Sequence, residues 1–399
     1  MKSIKLFFRI FFGAIILAPI LAWLIWLFSP KRKLVIAIID KTELNKNGQE
    51  RISLDWILNY EKFTKTRTKL YNAGDDYYGF DPKKNGRYRL KGLENFTNDQ
   101  IEQLSEISDA TFFTDTYGVY NNEWDGHIKM DERSVKIYGG MSSQDMAYLE
   151  KMKARKKLIL AEFNDIGSPT SSEIRSQFET LFGVHWTGWV ARYFENLDTS
   201  QNKEIPRWLI KNYLQQHGNK WPFHKGGIGF VNQNDQIEIL GSETDLTNPV
   251  PQIRTFKYGQ EKFNLPHFIK YSYWLDIMTY NDSINHAISA YEIHTTRKGA
   301  KILQQNNIPD KFAAVIMHNQ KDYKFYYFCG DFTDNPIKHR SSYFKGIPFI
   351  SPLFYDVSNP NERKSFFWQY YRPMVTKILD DYYKELHSRN SKKQIIQNQ

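Results

Sequence analysis

The feature that most restricts the fold of this chain is the alternation of short apolar runs with helical segments. The apolar runs at 34–39, 110–114 and 158–161 contain β-branched and aromatic residues, and each predicts a buried strand. Segments with helical spacing or capping signals separate or follow them, at 52–60, 99–107, 145–157 and 171–182. Strands that alternate with helices are typical of layered α/β domains, so the sequence predicts an α/β fold with a mostly parallel sheet flanked by helices.

The second half of the chain is less regular and predicts an α+β extension. Further strands are predicted at 236–240, 287–293, 313–317 and 325–329, and helices at 206–216, 296–306 and 366–386. We therefore divide the chain into an α/β domain at 34–200 and an extension at 201–388. The sequence leaves open whether the extension completes the same domain. Residues 389–399 are polar and are predicted to be a disordered tail.

The N-terminus contains a long apolar run. Residues 10–28 carry no charged side chain, and with residues 6–8 the run approaches the ~20 residues that cross a bilayer. The sequence predicts an anchor at 1–33 whose residues 7–28 form a transmembrane helix contacting the lipid bilayer. A cleaved signal peptide is the alternative, but its apolar region would be shorter.

Basic residues flank both ends of this run, three on each side, so the positive-inside rule is nearly tied. A short basic N-terminal tail favours an inside N-terminus, which predicts a single-pass protein of the cytoplasmic membrane with residues 34–399 outside the cytoplasm. The net charge of +10 falls to +4 for residues 34–399, because no acidic residue precedes Asp40. This balance argues against nucleic acid as a partner.

Acidic residues follow four predicted strands. Ligands of open parallel sheets bind beyond the carboxyl ends of the strands. Asp40, Asp115, Glu162 and Asp331 stand at or just after such ends, and Asp334 follows closely. If they converge, Glu162, Asp115 and Asp331 are candidate catalytic groups, and Asp40 and Asp334 are candidate ligand-binding groups. The alternative is that they are turn and cap residues.

Aromatic and polar residues accompany these acids. The candidate ligand-binding residues are Tyr117, Asn164, Trp186, Trp189 and Arg192. Aromatic rings beside carboxylates suit stacking on carbohydrate rings. The alternative is a hydrophobic cluster that closes one edge of the sheet.

Other chemistries have little support in the sequence. The ten histidines show no compact ligand spacing, and the chain lacks a P-loop and a nucleophile elbow. Cys329, the single cysteine, lies in a predicted aromatic strand and is expected to be buried and inert. We expect no metal and no cofactor.

The stretch 157–183, KLILAEFNDIGSPTSSEIRSQFETLFG, resembles the strand, elbow and helix of the class I glutamine amidotransferase-like superfamily. The resemblance covers about residues 34–195 and implies an amidotransferase- or flavodoxin-like sheet. The family uses an elbow cysteine with a distant histidine and glutamate, whereas this elbow reads Ala161-Glu162-Phe163-Asn164. Glutaminase activity is therefore not expected. The motifs AEFN, SPTS, WTGW and GDFTDN also resemble a group of membrane-anchored proteins, which implies no activity.

Three functional hypotheses follow. The first is an anchored, non-glutaminase amidotransferase-like domain that binds a carbohydrate or cell-envelope glycan beyond the strand ends. The second is a hydrolase of envelope polysaccharide that uses Glu162 with Asp115 or Asp331 as a carboxylate pair. The third is a structural scaffold of an envelope complex. The sequence does not decide whether the protein is an enzyme and does not identify protein partners.

Overall fold

The structure is a computed structural model that describes residues 2–124 and 134–397. Its strands are β1 Arg32–Lys33, β2 Ile36–Asp40, β3 Phe63–Thr64, β4 Tyr78–Pro82, β5 Tyr88–Leu90, β6 Ala110–Asp115, β7 Val119–Tyr120, β8 Lys136–Tyr138, β9 Leu158–Glu162, β10 Val184–Phe194, β11 Gly227–Asn232, β12 Ile237–Gly241, β13 Gln252–Thr255, β14 Phe268–Lys270, β15 Leu275–Tyr280, β16 His286–Glu292, β17 Lys311–Asn319 and β18 Lys324–Phe328. Its helices are α1 Lys2–Phe28, α2 Ile52–Tyr60, α3 Asn98–Ile107, α4 Asn121–Trp124, α5 Ser143–Ala154, α6 Ser172–Phe182, α7 Arg207–Gln216, α8 Lys257–Phe263, α9 Arg297–Gln305, α10 Ile347–Ile350, α11 Lys364–Phe366 and α12 Arg372–Gln397.

One large mixed sheet organises the fold. It has 14 strands, and its main path runs β12-β11-β10-β15-β17-β18-β9-β6-β2-β4-β5. Among the described strands of this sheet, nine pairings are antiparallel and four are parallel. The prediction of a mostly parallel sheet is therefore wrong. The strands of the second half, which we assigned to an extension that could complete the same domain, add antiparallel neighbours to the parallel strands.

The parallel part of the sheet is nevertheless continuous. β18, β9, β6, β2 and β4 lie side by side in that order, and all four pairings between them are parallel. β2, β6 and β9 are buried along their whole length, as expected for strands covered on both faces. Their carboxyl ends consequently lie at one edge of the sheet.

Local capping signals fix the helices beside these strands. Thr97 and Ser142 each form a capping box with the residue three positions later, at the start of α3 and α5 respectively. Gly183 ends α6 with φ +66°, the left-handed conformation that favours glycine. These boundaries agree with the sequence analysis.

The N-terminal helix does not support the predicted anchor. No helix in the described part of the chain is both long enough and apolar enough to cross a membrane. The end of the apolar run instead packs on the protein: Trp26 is buried, and its indole N–H donates to the carbonyl oxygen of Asn59 at 3.0 Å. The backbone N–H of Lys345 donates to Ala22 at 3.1 Å. The predictions of a transmembrane helix and of a single-pass inner-membrane location are therefore wrong.

The C-terminal segment closes the parallel half of the fold. A π-helical turn, Phe367–Tyr371, leads into α12, and Phe367, Tyr370 and Tyr371 are fully buried in the main core. α12 runs to Gln397, so it includes most of the segment predicted to be a tail. The predicted domain division at residue 200 stays a prediction.

Candidate functional site

Four acidic residues lie at the carboxyl edge of the parallel strands. β2 ends at Asp40, β6 at Asp115 and β9 at Glu162, and Asp331 follows β18 by three residues. Asp40 is opposite Asp115, and Glu162 is opposite Phe328. The structure thus brings together acids that are distant along the chain, as expected if ligands bind beyond the strand ends.

Three carboxyl groups form an acidic cluster, which consists of Glu50, Asp331 and Asp334. One carboxylate oxygen of each residue lies within 4.8 Å of the others. Glu50 comes from the short turn Gln49–Arg51 that precedes α2. Glu50 and Asp331 are half-buried residues and Asp334 is buried, so the cluster lies deep in the protein.

Thr333 connects this acidic cluster to Glu162. Its hydroxyl oxygen is 2.6 Å from the carbonyl oxygen of Glu50 and also contacts Oε1 of Glu162. The backbone N–H of Ser53 donates to the carbonyl oxygen of Thr333 at 3.2 Å. The loop after β18 is therefore held against the start of α2, and this contact places Glu50 beside the strand ends.

Two residues partner Asp334. The side-chain amide of Gln49 contacts Oδ1, and Arg363 donates to the backbone carbonyl at 2.8 Å. The guanidinium of Arg363 is 3.7 Å from Oδ2. The backbone N–H of Asp334 donates to Oδ1 of Asp331 at 3.3 Å. Arg363 is the nearest cation to the cluster in the described part of the chain.

Burial and mutual repulsion make these acids hard to ionise. Burial raises the pKa of Glu50 well above its usual value, and Asp331 and Asp334 raise it further. Burial also raises the pKa of Asp331, with Asp334 the largest charged contributor, and that of Glu162, with Asp331 the largest charged contributor. Groups coupled in this way share protons as a set. Each of these shifts favours the neutral form of the carboxyl group, which can donate a proton or a hydrogen bond.

Asp115 lies at the same edge of the sheet, and its charge acts on these carboxyl groups. Burial raises its pKa to about 8, although two hydrogen bonds oppose the shift. The donors are the backbone N–H of Tyr117 at 2.6 Å and the hydroxyl of Thr42 at 2.8 Å. Asp115 contributes to the raised pKa values of Glu50, Asp331 and Glu162.

The contacts of Asp40, in contrast, give it a structural role. It is fully buried, its Oδ2 pairs with the guanidinium of Arg51, and its Oδ1 accepts from the backbone N–H of Thr42 at 3.1 Å. Arg51 also pairs with Glu43 at 2.7 Å and lies 3.6 Å from Asp55. Asp40, at the end of β2, therefore holds the Arg51 side chain in place.

Two half-buried aromatic residues, Tyr273 and Trp274, adjoin the acidic cluster through Arg363 and through the backbone of Asp331. The guanidinium of Arg363 is 3.6 Å from the ring centroid of Tyr273. The carbonyl oxygen of Trp274 accepts from the backbone N–H of Asp331 at 3.1 Å, and the Trp274 ring stacks on Phe163 at 6.4 Å. Both rings are partly exposed. They form an aromatic border to the cluster that the sequence analysis did not find.

The predicted aromatic candidates lie elsewhere. Trp186 and Trp189 are each only 4% exposed, and the indole N–H of Trp186 donates to the carbonyl oxygen of Trp189 at 2.9 Å. They are core residues and do not form an open surface. Arg192 does approach the border: its guanidinium is 5.2 Å from the ring centroid of Tyr273 and 5.6 Å from that of Trp274.

Tyr117 and Asn164 flank the strand ends. The ring centroids of Tyr117 and Tyr120 are 4.9 Å apart, and the Tyr117 side chain is half-buried. Asn164 has φ +66°, and its carbonyl oxygen accepts from the Thr116 hydroxyl at 3.2 Å. The backbone of Asn164 therefore shapes the turn after β9.

Cys329 is fully buried, and burial raises the pKa of its thiol well above the usual value. A neutral, enclosed thiol is a poor nucleophile. Cys329 therefore offers no replacement for the missing elbow cysteine.

Two half-open pockets lie away from the acidic cluster. One, of about 310 Å³, lies between α8, β18 and α12, where Lys262, Asp381 and Glu385 contribute to its wall. The other, of about 430 Å³, lies beside β12 and α7 and is bordered by Tyr213, Phe223 and Asp245. Neither is lined by a residue of the acidic cluster.

Comparison with known proteins gives structural neighbours only. No family model matches the chain, and no curated protein matches its sequence. A putative ThuA-like protein from Bacteroides uniformis is similar over 79% of this chain and 89% of its own, with 8% identity and a TM-score of 0.36. Agd3, described as a carbohydrate deacetylase, is similar over 75% of this chain but 29% of its own, with 8% identity and a TM-score of 0.31. TM-scores this low carry no functional argument. The resemblance to the amidotransferase-like superfamily therefore stays a prediction.

Proposed function

We propose that this protein binds a carbohydrate beyond the carboxyl ends of its parallel strands. The observation that carries the proposal is the acidic cluster Glu50, Asp331 and Asp334 beside the partly exposed rings of Tyr273 and Trp274. Carboxyl groups bind sugar hydroxyls, and aromatic faces stack on the apolar faces of sugar rings. A small number of convergent polar groups beside aromatic side chains is typical of ligand sites.

The aromatic border gives the sharpest test of this proposal. We expect Trp274→Ala to weaken glycan binding by at least about tenfold, because aromatic anchors dominate binding energy. The measurement is isothermal titration with the best ligand found on a glycan array. The matched control is Tyr258→Ala in α8, which removes another aromatic residue that is 41% exposed and outside the site.

Folding must be unchanged for this comparison, which circular dichroism checks. Equal affinity in Trp274→Ala and Tyr258→Ala, or the absence of any glycan ligand on the array, would contradict the proposal.

A second candidate function is a hydrolase. Its support is the raised pKa of Glu162 and of its neighbour Asp331, because a general acid must be protonated at working pH. In this hypothesis Glu162 is one member of a catalytic carboxylate pair, and Asp331 or Asp115 is the other.

Turnover of polysaccharide tests the hydrolase directly. We expect Glu162→Gln to lower the release of reducing sugar by at least about a hundredfold, the usual contribution of general acid catalysis. The conservative change keeps the side-chain volume, and Glu173→Gln on the exposed first turn of α6 is the matched control. Turnover that survives in Glu162→Gln would rule out this assignment, while glycan binding could persist without turnover.

A further inference from the structure

The acidic cluster has more carboxyl groups than there are cations beside it. If ionised, its three carboxylates face one guanidinium, that of Arg363, which lies 3.7 Å from Asp334. No ion pair of the Glu50 or Asp331 carboxylate is found among residues 2–124 and 134–397. A compact set of carboxylates without matching cations is costly unless protons or a cation neutralise it.

A second observation comes from Glu162, which is not a member of the cluster. Its side chain is fully buried, and its Oε2 atom has no hydrogen-bond partner in the described part of the chain. The other oxygen, Oε1, is held by Thr333, whose hydroxyl also contacts the backbone of Glu50. Asp331 is the charged group that acts most strongly on this carboxyl. Buried polar atoms normally have a partner, so this oxygen is available to a bound ion or to its water.

We propose that Glu50, Asp331 and Asp334 bind one divalent cation, with Glu162 as the buried carboxylate that faces the same ion or its bound water. All four groups offer oxygen atoms, which are the ligands that Ca²⁺, Mg²⁺ and Mn²⁺ prefer. Ligands on opposite sides of a Ca²⁺ ion at about 2.4 Å are about 4.8 Å apart. The cluster oxygens lie within 4.8 Å of one another, so one ion can reach all three.

The positions of the three cluster residues along the chain also suit a bound cation. Asp331 and Asp334 lie in one short loop after β18, and Glu50 lies in the turn before α2, joined to that loop through Thr333. The two segments are 281 or more positions apart in sequence, so a bound ion would link them. The partial exposure of Glu50 and Asp331 provides a route for the ion to enter.

Titration of the full-length, chelator-treated protein with CaCl₂, MgCl₂ and MnCl₂ tests the site without any glycan. We expect saturable binding of about one ion per chain, and an affinity at least about tenfold lower in Glu50→Gln and Asp334→Asn. The matched control is Asp75→Asn, which removes an exposed carboxylate from another acidic stretch.

Thermal unfolding gives an independent measurement, because an ion that binds only the native state raises its melting temperature. The bound ion should raise the melting temperature of the wild type and of Asp75→Asn but not of Glu50→Gln. Absence of saturable binding by all three salts would overturn the proposal, as would equal binding by Glu50→Gln, Asp334→Asn and the wild type. Since the ion is titrated alone, this result is separate from the glycan measurements.

Discussion

Replacing Gly79 with alanine is expected to destabilise the protein by more than about 4 kcal/mol. Gly79 lies opposite Asp40 in the pairing of β2 with β4, at φ +149°. An added Cβ would lie 1.7 Å from the carbonyl oxygen of Asp40, which is backbone and cannot rotate away. The strands would have to separate next to the site. Urea unfolding followed by tryptophan fluorescence measures the loss.

Gly86→Ala is the matched control for this change. Gly86 also has a positive φ, +66°, but no atom lies within 4 Å of its added Cβ. Only the left-handed backbone penalty applies there, about 1–2 kcal/mol. If Gly79→Ala lost no more stability than Gly86→Ala, the close approach of β4 to Asp40 would be refuted.

Replacing Arg51 with methionine is expected to cost about 3–5 kcal/mol of folding stability. The Arg51 side chain is buried and pairs with Asp40 and Glu43, with Asp55 at 3.6 Å. Methionine keeps much of the volume but leaves these carboxylates without their cation. Arg87→Met, at an exposed position, is the control and should change stability by less than about 0.5 kcal/mol.

The effect of Arg51→Met should depend on pH in a defined direction. Burial raises the pKa of Asp55 to about 7 in the native protein, although Arg51 opposes the shift. A carboxyl group whose native pKa is raised favours folding below its unfolded pKa, and this contribution is lost as pH rises through the native pKa. Without Arg51 the native pKa rises further, so the variant should lose more stability at about pH 8 than at about pH 5.5. An equal loss at both pH values would show that charge is not the cause.

The sequence predicted the parts of the fold that local patterns determine. The apolar runs that became β2, β6 and β9 are short and uninterrupted, and the capping box at Ser142 marks the start of α5 by residue type alone. The acids at the strand ends could be grouped because parallel strands share a carboxyl edge. The antiparallel strands could not be placed, since their partners are set by contacts between distant segments.

The error over Trp186 and Trp189 has a specific structural cause. Residues three apart point to opposite faces of a regular strand. In β10 the register with β15 shifts between Trp186 and Val190, and Gly188 has φ +87°. This irregularity allows both indoles to be buried, while the sequence shows only two tryptophans near a glycine.

Glu50 was missed for a different reason. It lies in a turn that has no unusual composition, and its partners Asp331 and Asp334 are some 280 positions away. The contacts of Thr333 and Asp334 with the turn before α2 bring them together. The N-terminal apolar run was misinterpreted because hydropathy alone does not reveal that Trp26 has a protein partner.

The position of β18 has a consequence for synthesis on the ribosome. This strand comes late in the chain, yet it lies between β17 and β9 in the middle of the sheet. Until residues 324–328 leave the ribosome, β9 presents an open hydrogen-bonding edge, and the loop carrying Asp331 and Asp334 does not yet exist. The nascent chain must therefore keep its early strands from pairing with other chains until residues 324–328 have been translated.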